Sequence, residues 1–76
     1  MSEYKNEAAE ARMLASLRKA DGPLPYHRLN RAGRVSAIAG SLVRAGMMRR
    51  GLIERGVDGF VLTDAGREAA ATGVEQ

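Results

Sequence analysis

The side chains of this sequence that can do chemistry are almost all cations. His27 is the only histidine and cysteine is absent. Disulfides and thiolate metal sites are therefore excluded, and one imidazole cannot assemble a metal site by itself. No two carboxylates stand at a spacing that suggests general acid–base work. The sequence accordingly predicts no catalytic residue, no metal and no cofactor. Arginine is what remains. Residues 22–56 carry seven (Arg28, Arg31, Arg34, Arg44, Arg49, Arg50 and Arg55) against Glu54 alone, a sum of +6. Residues 1–21 balance four cations against four anions, and residues 57–76 set Arg67 against Asp58, Asp64, Glu68 and Glu75, a sum of −3. The three parts add to the net +3 of the chain. Charge segregated in this way is the footprint of a polyanion-binding surface. Every cation of the middle part is arginine, whose planar fork suits phosphate and guanine edges better than an ammonium does. The plainer alternative is a solvated face enriched in arginine by codon bias.

The elements that must position these arginines can be read from periodicity and caps. The 76 residues, 45% of them apolar and 28% charged, fit one soluble globular domain spanning 1–76. A chain of this size buries only about 60% of its unfolded surface. Its apolar runs are far too short to span a membrane. The stretch Met1-Ser2-Glu3-Tyr4-Lys5 lacks the apolar segment of a secretory signal, so the expected location is the cytoplasm. A first helix is expected over 3–20, capped by Ser2. Its apolar stripe is Tyr4, Ala8, Ala11, Leu14 and Leu17, with Met13 alongside. Asp21-Gly22-Pro23 stops it. Pro23-Leu24-Pro25 reads as an extended connector. A short second helix is expected over 25–32, with Tyr26 and Leu29 on one side and His27, Arg28 and Arg31 elsewhere. Ala32-Gly33 then reads as a tight turn.

The third helix is expected over 34–46, ending at Gly46. At about 100° per residue, Val35, Ile38, Ala39, Leu42 and Ala45 gather on one side as a core face. Gly33, Ser36, Ala37, Gly40 and Arg44 gather opposite, with Arg34 and Ser41 at the edge. That second face is made of small residues ringed by arginines, although Gly40 costs about 1 kcal/mol in a helix. Small side chains allow close approach, either to the base edges of a nucleic-acid groove or to a neighbouring helix packed on Gly40 and Ala37. Residues 47–63 change period and predict a β-hairpin with Asp58-Gly59 as its turn signal and Gly51 as a bulge. Phe60 and Leu62 would cover the core. Thr63 can cap a last helix over 64–72, packed through Ala65, Ala69 and Ala70.

The fold class expected from this order is mainly α with a β-hairpin, an α+β arrangement. From the third helix onward the chain resembles the winged-helix repressors of the MarR and PadR kind. Three pieces carry the likeness. Ile38-x-x-x-Leu42-x-x-x-Gly46-Met47-Met48-x-Arg50 is similar to a recognition helix entering the first wing strand. Arg49 to Gly59 is similar to the wing. Leu62-Thr63-Asp64-Ala65-Gly66-Arg67-Glu68-Ala69 is close to the family's Leu-Thr-x-x-Gly-Arg segment. Together they span about residues 24–72. The stretch Tyr26–Val35 is shorter than the family's, and its long dimerisation helices are missing. The likeness therefore implies a fold and a DNA-binding mode, not a small-molecule sensor.

The implied function is a small sequence-specific DNA-binding protein, a transcriptional regulator or repressor of phage or mobile-element type, acting at the nucleoid. The third helix would enter the major groove. Arg34, Ser36, Ala37, Gly40, Ser41 and Arg44 would face bases or adjoining phosphates. Arg34 or Arg44 would read guanine, and Ala37 would touch a thymine methyl. Arg28, Arg31, Arg49 and Arg50 would hold the backbone, and Arg55 at the wing tip would reach phosphate or the minor groove. The expected partner is double-stranded DNA, bound by a homodimer that uses helix 1 if Tyr4 and Met13 extend beyond the core. The other possibility is that both residues simply complete the core. Two further readings stay open, a winged-helix protein–protein adaptor and a non-specific nucleoid-associated binder.

Overall fold

The computed structural model describes residues 6–74. Four helices and one antiparallel hairpin follow each other as α1 (Glu7–Ala20), α2 (Tyr26–Gly33), α3 (Ala37–Arg49), β1 (Ile53–Gly56), β2 (Gly59–Leu62) and α4 (Asp64–Val74). This is the α+β class expected from the pattern. One core collects a residue or more from every element. Ala9, Met13, Leu14 and Leu17 of α1 meet Leu29 of α2, Val43 and Met47 of α3, Ile53 of β1, Phe60 of β2 and Ala70 of α4. Helix α1 forms the spine against both α2 and α4, packed through Ala9, Met13, Leu14 and Leu17, while Ala8 and Ala11, expected on its apolar stripe, are exposed. Met13 is fully buried, so at this position the stripe ends in the core and not on a free surface. Tyr4 and Ser2 lie outside the described residues.

The caps explain where the helices stop and correct several expected boundaries. Asn6 caps α1, its side chain accepting from the Ala9 N–H at 3.1 Å. At the other end Asp21 itself, not Gly22, takes the left-handed conformation. Pro25 precedes α2 as its N-cap, and Gly33 is helical, so the turn expected at Ala32-Gly33 falls later. Arg34 holds the left-handed position there, with φ 59°. Arg12 reaches across from α1 to clamp this junction, donating to the Gly33 carbonyl at 3.2 and 2.8 Å. Ser36 then caps α3, its hydroxyl accepting from the Ala39 N–H at 3.2 Å.

Helix α3 is displaced by three residues from the expected 34–46 and runs through Gly46. It stops at Gly51, whose φ is +76°. The Leu52 N–H bonds the Met47 carbonyl at 2.9 Å and the Gly51 N–H bonds the Met48 carbonyl at 3.0 Å. That pair of reversed bonds is a Schellman closure, and it sets Leu52 against the last buried turn. Gly51 is therefore the helix stop and not a strand bulge. Residues 47–50, expected in the wing, are helical or capping.

The hairpin is shorter than the expected 47–63. Its register pairs Ile53 with Leu62 and Gly56 with Gly59, leaving Val57-Asp58 as the two-residue loop. On its other edge β2 pairs with the connector, Leu24 and Phe60 exchanging backbone hydrogen bonds of 3.0 and 2.8 Å. Thr63 starts α4 as expected, accepting from the Gly66 N–H at 3.0 Å. Its hydroxyl also lies 2.5 Å from the Gly51 carbonyl and 3.0 Å from that of Leu52, so it anchors the helix to the end of α3. A β-carbon on Gly66 would overlap the Leu52 carbonyl oxygen. The Thr–Gly spacing thus follows from one close contact between α4 and the chain leaving α3.

Candidate nucleic-acid interface

The eleven residues expected to meet DNA divide into three groups in the structure. Arg28 and Arg31 of α2, Arg34 of the turn, Ser36, Ala37 and Ser41 of α3, and Arg49 and Arg55 are exposed. Gly40 and Arg44 are buried. Arg50 is half-exposed and engaged within the protein.

The buried pair reverses the expected orientation of α3. Gly40, Val43, Arg44 and Met47 share a side at about 100° per residue, and that side faces inward. Ile38 and Leu42, expected in the core, are 79% and 47% exposed. The physical reason is the approach of α2. A β-carbon on Gly40 would overlap the Asn30 carboxamide oxygen, so this glycine serves helix–helix packing and not a groove. Arg44, only 8% exposed, donates from Nη1 to the same oxygen. Its guanidinium lies 5.6 Å from the Tyr26 ring centre and 5.5 Å from that of Phe60. Burial, and secondly the positive charge of Arg55, pull its pKa below the ordinary arginine value, while Tyr26 opposes the shift. An arginine held in this way joins α2, α3 and the hairpin, and its fork is not presented to a base edge.

Arg50 is likewise directed inward. Its Nη2 donates to Glu10 Oε2 at 2.6 Å, and its Nε donates to the Gly46 carbonyl at 3.2 Å. Arg55 does not sit at the hairpin tip. It lies on β1 opposite Phe60, with its guanidinium 5.5 Å from that ring. A shallow groove lined by Pro25, Tyr26 and residues 55–60 brings Arg55 next to the start of α2.

What stays outward is a cationic band beside an apolar helix face. Arg28, Arg31 and Arg34 follow α2 into the turn, and Arg55 lies across the groove from the start of α2. Among the described residues, no carboxylate lies within ion-pair distance of these four arginines. Between the turn and β1, α3 presents Ala37, Ile38, Ser41 and Leu42 to solvent, with Ala45 partly exposed. Sequence reasoning missed Ile38 and Leu42 as surface residues and Asn30 as the buried partner of Arg44. The signal that could have found them is Gly51-Leu52. Taking that pair as the helix stop turns Met47 inward, and Val43, Arg44 and Gly40 follow.

Elsewhere, a cleft between the end of α1, β2 and α4 is lined by Leu17, Asp21, Val61, Arg18 and Arg67. Among the described residues no helix is long and apolar enough to cross a membrane. Compared with protein-family models, curated proteins and solved structures, the chain matches none.

Proposed function

We propose that this chain is a winged-helix protein that binds duplex DNA and acts as a small transcriptional regulator. In this reading α2 and α3 form the helix-turn-helix and β1–β2 the wing. The carrying observation is the outward band of Arg28, Arg31, Arg34 and Arg55, in a part of the chain whose only acid is Glu54. Unpaired guanidiniums crowded on one surface repel each other and attract a regular array of phosphates. Arg34 stands where α2 turns into α3, so it would meet the backbone as the start of α3 enters the major groove. Arg28 and Arg31 would follow one strand, and Arg55 the strand across the groove. Arg44, Arg50 and Gly40 have no part in the contact.

The test is affinity for random duplex DNA at two salt concentrations. Binding should weaken steeply with salt, with log K falling by about 0.9 per phosphate neutralised. The double substitution Arg28→Ala with Arg31→Ala should weaken all sequences alike and flatten that slope by roughly two. Neutral, salt-independent behaviour would exclude the proposal. A protein–protein adaptor is the second reading, favoured by the exposure of Ile38, Leu42 and Val57. It would leave the chain without affinity for duplex DNA even at low salt.

A further inference from the structure

The outward face of α3 has a composition that constrains what it can recognise. Ala37, Ile38, Leu42 and Ala45 are apolar, Ser41 can form a side-chain hydrogen bond, and Met48 and Arg49 are exposed in its last turn. Of the two forks expected to read guanine, Arg44 is turned onto Asn30, and Arg34 stands in the turn before α3 and not on its outward face. Both base pairs present three polar groups to the major groove, N7, O6 and N4 in G·C and N7, N6 and O4 in A·T, so an apolar face discriminates only through whatever apolar group a pair adds. The apolar group in that groove is the C5 methyl of thymine. A second copy of the chain is disfavoured on this face, because it would bring Arg31 and Arg34, exposed beside the start of α3, towards a second pair like them. A phosphate-walled groove matches that charge.

We propose that α3 reads thymine methyl groups, with Ile38 and Leu42 in contact, so that the preferred substrate is a thymine-containing A·T duplex. This rests on the reading that the chain binds duplex DNA. The arginines then supply affinity without sequence preference, and the apolar stripe supplies the preference. Ser41 would add one hydrogen bond, accepting from adenine N6 or donating to adenine N7 or thymine O4.

The experiment compares three short duplexes under one salt condition by fluorescence anisotropy. They are alternating A·T, the same duplex with uracil for thymine, and alternating G·C. Losing the methyl should weaken binding by about fourfold for each methyl in contact, so four- to about fifteenfold for one or two. Ile38→Ser, at a position 79% exposed, should keep the fold and shrink the ratio of thymine-duplex to uracil-duplex affinity. Leu42→Ser should do the same. Equal, salt-dependent binding of the thymine and uracil duplexes would overturn this inference and leave DNA binding standing. A thymine advantage that survives both substitutions would overturn the assignment to α3. Failure to bind any of the three duplexes at low salt would overturn the DNA-binding reading itself.

Discussion

At the scale of single residues, arginine has three different uses in this chain, and its type alone does not tell them apart. Arg12 closes the end of α2, Arg44 is buried on Asn30, and Arg28 and Arg31 are exposed on α2. The sequence shows an excess of cations; which of them reach solvent depends on the packing of α2 on α3. Arg44→Ala should therefore act on stability. It leaves the Asn30 oxygen buried without its donor and removes a guanidinium held over two rings. A loss of about 2–3 kcal/mol is expected in urea unfolding. DNA affinity per folded molecule should change far less than in Arg28→Ala. Gly40→Ala should cost about 1–3 kcal/mol through the same contact, because Asn30 must move to admit a methyl. In the Arg50–Glu10 pair only the arginine is half-exposed and the carboxylate is buried, so solvent screens one partner and not both.

At the scale of elements, the readable parts were those fixed by local chemistry. The start of α4 was legible because Thr63 and Gly66 bracket one helical turn. The hairpin was legible from Asp58-Gly59, although the loop is Val57-Asp58 and Gly59 already pairs with Gly56. The end of α3 was not, since Gly46 and Gly51 both look like stops. Met47 decides between them. Its burial requires the helix to continue past Gly46, and that choice rotates the whole exposed face. Gly51→Ala should cost about 1–2 kcal/mol, purely from the left-handed backbone, since the space around it is open. Arg34 occupies a similar conformation with a side chain present. Arg34→Gly should leave stability unchanged or raised by up to about 1 kcal/mol, with the relieved backbone set against a freer unfolded chain. The same substitution should weaken DNA binding. Unfolding curves and anisotropy on one preparation would show the two effects moving in opposite directions.

At the scale of the molecule, the two salt responses should also oppose each other. Seven arginines lie between residues 28 and 55, so the folded state holds like charges closer together than the unfolded chain does. Added salt screens that repulsion over roughly 8–10 Å at physiological strength and should raise the urea midpoint of the free protein. The same salt should release DNA. A midpoint that falls with salt would show that the Arg50–Glu10 and Arg67–Asp64 pairs outweigh the repulsion.

The backbone bonds between Leu24 and Phe60 gain a further meaning from this balance. They fasten the two ends of the stretch that carries every one of those arginines, so they act as a clasp on a ring of chain under outward electrostatic tension. Whatever polyanion settles on the ring slackens the tension and tightens the clasp. The amides of Leu24 and Phe60 should therefore exchange with solvent more slowly when duplex DNA is bound, although neither residue would touch it. Hairpin and helices would then respond to a ligand as one closed loop, and not as an arm swinging on a fixed body.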